Sequence, residues 1–272
     1  MRYLSHLIIA LVLTSAAFAQ DRPAEGPKFD IADFSKKVET AEWLVEYDGV
    51  AWRSTDMLPT DDKSRMARLG PEWFCFQDEQ RVWHAVYGRL TEGKYDLVFH
   101  FVAGKDGVLA RTDADIDQDF LNKHAAALST GREQLLRSIP PGSPRFNQYI
   151  RKNSDNTYSV WFFPAFQPNR IAVYGGEGVY LIDAAGTKII KDESYFQKDF
   201  RGFASEPPRE IWLDYREIKK PTLGGVFFAL YYRNYFTKIV IDTGESSNML
   251  VRTNDSFVWV NVEKDEKGEK PQ

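Results

Sequence analysis

The alternation of apolar and polar residues predicts short β-strands along most of the chain. The densest block of strand-forming residues is 157–191, where β-branched and aromatic runs are separated by proline, glycine and Asp-Ala-Ala-Gly. Within it, 171–174 and 179–182 are predicted as two strands. Glycine takes positive φ readily, so Gly175, Gly176 and Gly178 predict a hairpin turn between these two strands.

A second run of strands is predicted at 72–77, 81–89, 94–103 and 108–111. We expect Thr91-Glu92-Gly93 to form a three-residue hairpin turn that pairs Leu90 with Lys94. In that register His84 faces His100, and apolar residues face each other on both sides of the pair of strands.

Two other stretches, 40–57 and 112–139, have the 3.6-residue period of an amphipathic helix, and 40–57 has Tyr47 and Val50 on its apolar face and Thr40 as its predicted cap. A helix capped by Thr222 is predicted at 223–233, and 29–38 is a shorter candidate. Further strands are predicted at 145–152, 210–215, 237–242, 249–253 and 257–262. The sequence therefore predicts an α+β fold, with an antiparallel or mixed β-sheet core and two or three packed helices.

The composition is that of a globular protein. The chain has 272 residues, 43% of them hydrophobic and 14% aromatic, and its net charge of -4 gives no basic excess for binding nucleic acid. We expect residues 20–263 to form a single α+β domain, divisible into lobes 29–142 and 143–263, and residues 264–272 to form a disordered, charged tail.

The N-terminus has the pattern of a secretory signal peptide over residues 1–19. Arg2 precedes the apolar run Leu7–Leu13, and Ala17-Phe18-Ala19 is a small-x-small cleavage site. The run is too short for a permanent membrane helix, and no later run is long enough to span a bilayer. We predict cleavage after Ala19 and a soluble periplasmic or secreted protein, whose partner is an envelope component or a small ligand.

The sharpest binding candidates are His84 and His100, with Asp96 on the same strand face. Two facing imidazoles could hold a metal ion or act as a pH switch. Zinc takes three or four protein ligands, so the alternative is a pair of half-buried histidines bonded to backbone or water. We predict no bound metal and no cofactor.

Trp161 and Phe163 are further binding candidates, because exposed aromatic rings could line a groove for a sugar or a peptide. Packing into the core is the alternative, since alternate residues of a strand must point inwards.

No catalytic residue is predicted. The chain has no G-x-S-x-G and no H-E-x-x-H, and its single cysteine, Cys75, lies in the apolar run 73–76. His124 falls on the apolar face of a helix, which indicates a core residue. The acidic run from Asp113 resembles a calcium loop, but Gln118 stands where that loop needs glycine. Paired carboxylates for glycoside chemistry stay open.

Several segments, at 41–56, 83–90, 146–150, 160–177 and 221–230, resemble uncharacterised exported bacterial proteins. The C-terminal third is similar to the strand–helix–strand layout of the JAB/MPN metallopeptidases. That family's metal ligands are absent, since the strand ends in Trp212-Leu213-Asp214-Tyr215 and Gly225 stands three residues after Thr222. The likeness implies at most a metal-free relative.

These observations favour an exported protein that binds a partner without catalysis, either a binding module or an envelope-associated module. The alternative is a cell-envelope hydrolase that uses histidine and carboxylate chemistry on a sheet face. The signal peptide and the failure of each catalytic pattern favour the first.

Overall fold

A computed structural model describes residues 29–104, 106–254 and 256–264. This part of the chain has four helices and 13 strands in three mostly antiparallel sheets, which confirms the predicted α+β fold. None of the described helices is long and apolar enough to cross a membrane. The predicted signal peptide and all of the predicted tail except Lys264 lie outside the described residues.

The helices are α1 (Ile31–Asp56), α2 (Lys63–Met66), α3 (Gln118–Ser138) and α4 (Leu223–Tyr232). The first sheet has the order β1 (Phe74–Gln77), β2 (Trp83–Thr91), β3 (Lys94–Ala103), β4 (Leu109–Arg111). The second has the order β5 (Phe146–Lys152), β6 (Tyr158–Pro164), β7 (Ile171–Ile182), β8 (Ile189–Asp192), and β9 (Tyr195–Ala204) also pairs with β7. The third has the order β10 (Glu210–Tyr215), β11 (Lys238–Thr243), β12 (Ser246–Arg252), β13 (Phe257–Glu263).

The described residues fall into two compact units that interleave along the sequence. The first unit consists of residues up to 42, residues 168–174 and residues from 202 onwards, and the second unit consists of 43–167 and 175–201. Helix α1 and strands β7 and β9 contribute residues to both units.

In the first unit, β10 and β11 are parallel neighbours, and α4 is the crossover between them. Parallel strands need a long connection, and an apolar helix supplies it. The Thr222 hydroxyl accepts a hydrogen bond from the Gly225 N–H at 3.0 Å, so Thr222 caps α4 as the sequence predicted.

In the second unit, the first sheet is covered by a helix on each face. Leu121 and Leu128 of α3 share a buried cluster with Phe74 and Val86. On the other face, the Tyr47 hydroxyl of α1 accepts a hydrogen bond from the Cys75 N–H at 2.9 Å. Neighbouring residues of a strand point to opposite faces, so Phe74 and Cys75 face different helices.

Two helix boundaries differ from the prediction. The segments 29–38 and 40–57 form one helix, α1, and the Thr40 hydroxyl does not cap it but donates to the Lys36 carbonyl one turn earlier at 2.8 Å. Helix α3 begins at Gln118, because the Asp117 carboxylate accepts from the Phe120 N–H at 2.7 Å and caps the helix there. Residues 112–117 form a connection without regular structure.

The predicted hairpin at Gly175–Gly178 is wrong, because β7 runs through these glycines without a turn. A Cβ atom on Gly176 would lie 2.6 Å from Phe200 Cε1. Gly175 has a φ of 110°, and a Cβ atom there would lie 3.0 Å from the Asp199 carbonyl oxygen. The glycines therefore make room for β9 instead of reversing the chain.

Candidate functional site

The hairpin between β2 and β3 sets the position of both candidate histidines. It closes with two residues, Glu92 and Gly93, whose φ angles are 50° and 79°. Thr91 pairs with Lys94, so the predicted three-residue turn is wrong. Positive φ at both central positions is typical of the tight I′ turn that suits the twist of a hairpin.

A β-bulge then shifts the register a second time. Gly88 pairs with Leu97 and Tyr87 pairs with Phe99, so Val98 is left without a partner on β2. Beyond the bulge His84 lies opposite Val102, and the predicted pairing of His84 with His100 is wrong. The turn and the bulge together shift the register by two residues. An even shift keeps the same strand faces together, so the two histidines still share one face.

The two imidazoles meet diagonally across the strands. His84 Nδ1 lies 2.9 Å from His100 Nε2, and the ring centroids are 5.2 Å apart. Phe76 stacks on His84 with a centroid distance of 4.6 Å. His100 is buried, with 4% of its surface exposed. The sequence therefore predicted correctly that the two imidazoles lie on one face, but in the wrong register.

Asp96 does not belong to this pair, and the prediction that it shares their face is wrong. The bulged Val98 lies between Asp96 and His100, so Asp96 pairs with Arg89 on the opposite face of β3. Its two carboxylate oxygens accept from Arg68 Nε at 3.0 Å and Arg68 Nη2 at 2.7 Å. This hydrogen-bonded ion pair lowers the pKa of Asp96.

The carboxylate beside the histidines is Asp78, in the turn between β1 and β2. Its Oδ2 atom lies 3.3 Å from His84 Nε2, and its Oδ1 atom accepts from the Val82 N–H at 2.8 Å. Burial acts to raise the pKa of Asp78, but the hydrogen bonds from Val82 and His84 outweigh it and lower the pKa. Asp78 is not among the predicted site residues, and its only signal in the sequence is its place in a turn six residues before His84.

The chain of hydrogen bonds continues from His100 to the backbone, since His100 Nδ1 lies 3.2 Å from the Ala114 carbonyl oxygen. Three hydrogen bonds thus connect Asp78, His84, His100 and Ala114, and they need three protons. Two neutral imidazoles carry only two N–H groups. The chain is complete only when the pair carries one additional proton. Burial lowers the pKa of His100.

This arrangement is linear and does not converge on one point. The facing nitrogens of His84 and His100 bond each other, and Asp78 contacts the opposite side of the His84 ring. Among the described residues, no group of three or more His, Cys, Asp or Glu side chains is placed to hold a metal ion.

His100 also forms part of the wall of a cavity of about 640 Å³, together with β3, β4 and the 112–118 segment. The cavity has cationic and acidic side chains in its lining, namely Arg65, Lys94, Arg111, Asp96, Asp113 and Asp115. The guanidinium carbons of Arg65 and Arg111 lie 4.4 and 5.6 Å from the centre of the Phe99 ring. The cavity is thus polar, and its charges of both signs come from α2, β3, β4 and the 112–117 connection.

Trp161 and Phe163 do not line a groove, because only 4% and 2% of their surfaces are exposed. Trp161 packs 6.1 Å from Trp43 of α1, and Phe163 packs 5.7 Å from Tyr149 of β5. The groove prediction is wrong for both residues, and the alternative, packing into the core, describes them.

His124 and Cys75 are core residues, as predicted. His124 is 2% exposed, its Nδ1 atom lies 2.8 Å from the Phe120 carbonyl oxygen, and burial lowers its pKa to about 3. Cys75 is fully buried, and burial raises the pKa of its thiol. A thiol in that state is a poor nucleophile.

In the first unit, the segment compared with JAB/MPN enzymes is built as strand β10, helix α4 and strand β11. Asp214 accepts two hydrogen bonds of 2.9 Å from Arg216, and Trp212 is 47% exposed with Lys238 Nζ 5.6 Å from its ring. Comparison with protein-family models, curated proteins and solved structures finds no match for the chain. The resemblance to this family, and that to exported bacterial proteins, stay predictions.

Proposed function

We propose that this protein is an exported, soluble module that binds a small polar ligand in the cavity beside His100, without catalysing a reaction. The observation that carries the proposal is a cavity of about 640 Å³ with cations and carboxylates in the same lining. Such a volume lies in the range of small-molecule sites, which use a few fixed polar groups for orientation.

The charges in the cavity favour a ligand that itself carries both signs. Asp96 is already engaged by Arg68, whereas Arg111 Nη2 and Asp113 Oδ1 are 3.9 Å apart, beyond hydrogen-bond distance. An amino acid or a short peptide would present a carboxylate to Arg111 and an ammonium group to the acidic residues.

The geometry of the histidines supports binding over the alternative, an envelope hydrolase. A general base needs a nitrogen within reach of the substrate. All four ring nitrogens of His84 and His100 already face Asp78, each other or the Ala114 carbonyl. Export rests on the N-terminal pattern of residues 1–19.

The test is calorimetric titration of the purified protein with free amino acids, dipeptides, monosaccharides and sugar phosphates. We expect a zwitterionic compound to bind, and Arg111→Ala to weaken that binding by roughly tenfold or more. Arg145→Ala is the matched control, because Arg145 is exposed and does not line the cavity. Turnover of an envelope substrate that is lost in His84→Ala would instead support the hydrolase.

Export is tested separately, by expressing the full chain in a bacterium and fractionating the cells. We expect the protein in the periplasm or medium with Gln20 as its first residue, as read by mass spectrometry. Retention of residues 1–19 on a cytoplasmic protein would contradict the proposal.

A further inference from the structure

Arg151, on β5, is the most unusual cation of the second unit. Its guanidinium carbon lies 5.1 Å from the centre of the Trp43 ring and 5.5 Å from that of Trp161. The side chain is partly buried, yet within the described part of the chain its guanidinium forms no hydrogen bond and no ion pair. This contrasts with Arg132 of α3, whose guanidinium bonds Glu72 at 2.5 Å and the Pro71 carbonyl at 3.0 Å.

The surroundings of Arg151 offset part of the cost of burying its charge, but among the described residues they give its N–H groups no hydrogen-bond acceptor. The faces of the two indole rings attract a cation, which offsets part of the cost of removing it from water. They accept none of its five N–H groups. Burial alone lowers the pKa of Arg151, as expected where no carboxylate of the described residues pairs with the guanidinium.

The walls of this position are rigid and aromatic. Trp43 packs 5.4 Å from Trp83 and 6.1 Å from Trp161, and its indole N–H donates to Gln77 Oε1 at 3.3 Å. Across the strand pair, Ser159 lies opposite Arg151 and exchanges hydrogen bonds with Asn153. The guanidinium is therefore held between packed rings beside polar side chains that already bond each other.

We propose that Arg151, between Trp43 and Trp161, is a binding site for an oxyanion, the carboxylate or phosphate group of a small organic molecule. A planar guanidinium fork matches two oxygens of such a group and prefers them to a spherical anion. No residue of this site lines the cavity beside His100, so the two sites are independent.

Tryptophan fluorescence gives a direct readout, because two of the seven tryptophans of the chain, Trp43 and Trp161, flank Arg151, and Trp83 packs against Trp43. The purified protein is titrated with sodium acetate, benzoate, phosphate and phenyl phosphate, each against sodium chloride at equal ionic strength. We expect a saturable change in emission with at least one oxyanion and none with chloride. A stronger response to the acetate and benzoate arm or to the two phosphates identifies which group the site takes.

Three variants test whether the change in tryptophan emission depends on Arg151. Arg151→Met should weaken the apparent affinity by roughly tenfold or more, and Arg151→Lys should weaken it less, since an ammonium keeps the charge but loses the fork. Arg145→Met removes an exposed arginine of the same unit and should leave the titration unchanged. A response that persists in Arg151→Met, or that chloride reproduces, overturns the proposal. Should Arg151→Met fail to fold, Arg151→Lys with unchanged affinity overturns it as well.

Discussion

His84 and His100 share an N–H across 2.9 Å although neither residue is the other's partner in the strand register. Their contact depends on the unpaired Val98, which displaces the second half of β3 by one residue relative to β2. The tight turn at Glu92-Gly93 supplies the other residue of the shift. Either shift alone would place the imidazoles on opposite faces of the sheet.

The first prediction concerns the coupling between these two imidazoles. Urea unfolding of the wild type, His84→Leu, His100→Leu and the double variant gives the coupling free energy. Near neutral pH we expect about 1 kcal/mol in favour of the pair, because replacing either ring removes the hydrogen bond between them.

The coupling should decrease as the pH falls below about 6.5, the ordinary pKa of histidine, since protonation of both rings removes the N–H···N bond and makes the rings repel. Coupling that is absent at neutral pH, or that grows on acidification, would contradict the hydrogen-bonded chain from Asp78 to Ala114.

The second prediction concerns His124 and acid stability. Its pKa is lowered from 6.5 to about 3 by burial, so between these values the unfolded chain binds a proton that the folded protein refuses. The free energy of unfolding should therefore fall with decreasing pH, by roughly 1.4 kcal/mol per unit for this group alone.

His124→Leu should remove this contribution and flatten the acid side of the stability curve, as measured by urea unfolding at each pH. Lys123→Met, on the same helix but with a side chain that is 41% exposed, should keep the wild-type slope. Equal slopes in wild type and His124→Leu would show that His124 is not the group responsible.

The third prediction compares two glycines. A Cβ atom on Gly88, at the bulge, would lie 2.1 Å from the Asp96 carbonyl oxygen, so Gly88→Ala should lower the free energy of unfolding by about 1–3 kcal/mol. On Gly49, inside α1, the nearest atom is the mobile end of Arg53 at 3.8 Å. Gly49→Ala should raise stability by about 0.5–1 kcal/mol. Thermal melts of both variants show whether each substitution raises or lowers the stability of the protein.

The fourth prediction concerns the ion pair between Arg132 of α3 and Glu72. The Glu72 side chain is 8% exposed, so Arg132→Met leaves a carboxylate buried without its cation. We expect a loss of about 3–5 kcal/mol. Adding Glu72→Gln to this variant should restore part of the loss, whereas Glu72→Gln in the wild type should be destabilising. No recovery in the double variant would mean that Arg132 acts through packing alone.

Most elements could be predicted because their signals are local. The Thr222 cap, the strand at 210–215 and the apolar face with Tyr47 and Val50 each follow from a few neighbouring residues. The glycines of β7 misled the prediction, since the aromatic rings that need their space belong to β9, more than twenty residues later.

The candidate site was only partly predictable for the same reason. The two-residue period of a β-strand predicts that His84 and His100 lie on one face, but nothing in the sequence of β3 indicates a bulge at Val98. Asp78 meets His84 only because the turn between β1 and β2 brings them together, and a polar turn residue by itself does not indicate that contact. Arg151 contacts Trp43 of a distant segment, and a pattern within one stretch of chain cannot contain such a contact.

The interleaving of the two units has a consequence for any attempt to isolate one of them. The chain crosses between them after residues 42, 167, 174 and 201, and α1, β7 and β9 each straddle a crossing. No single protease cut separates the two units, and swapping one unit for a foreign sequence would mean replacing several separate segments together. Unfolding of either unit would disrupt α1, β7 and β9, which also contribute residues to the other unit. Calorimetry should therefore record one cooperative transition.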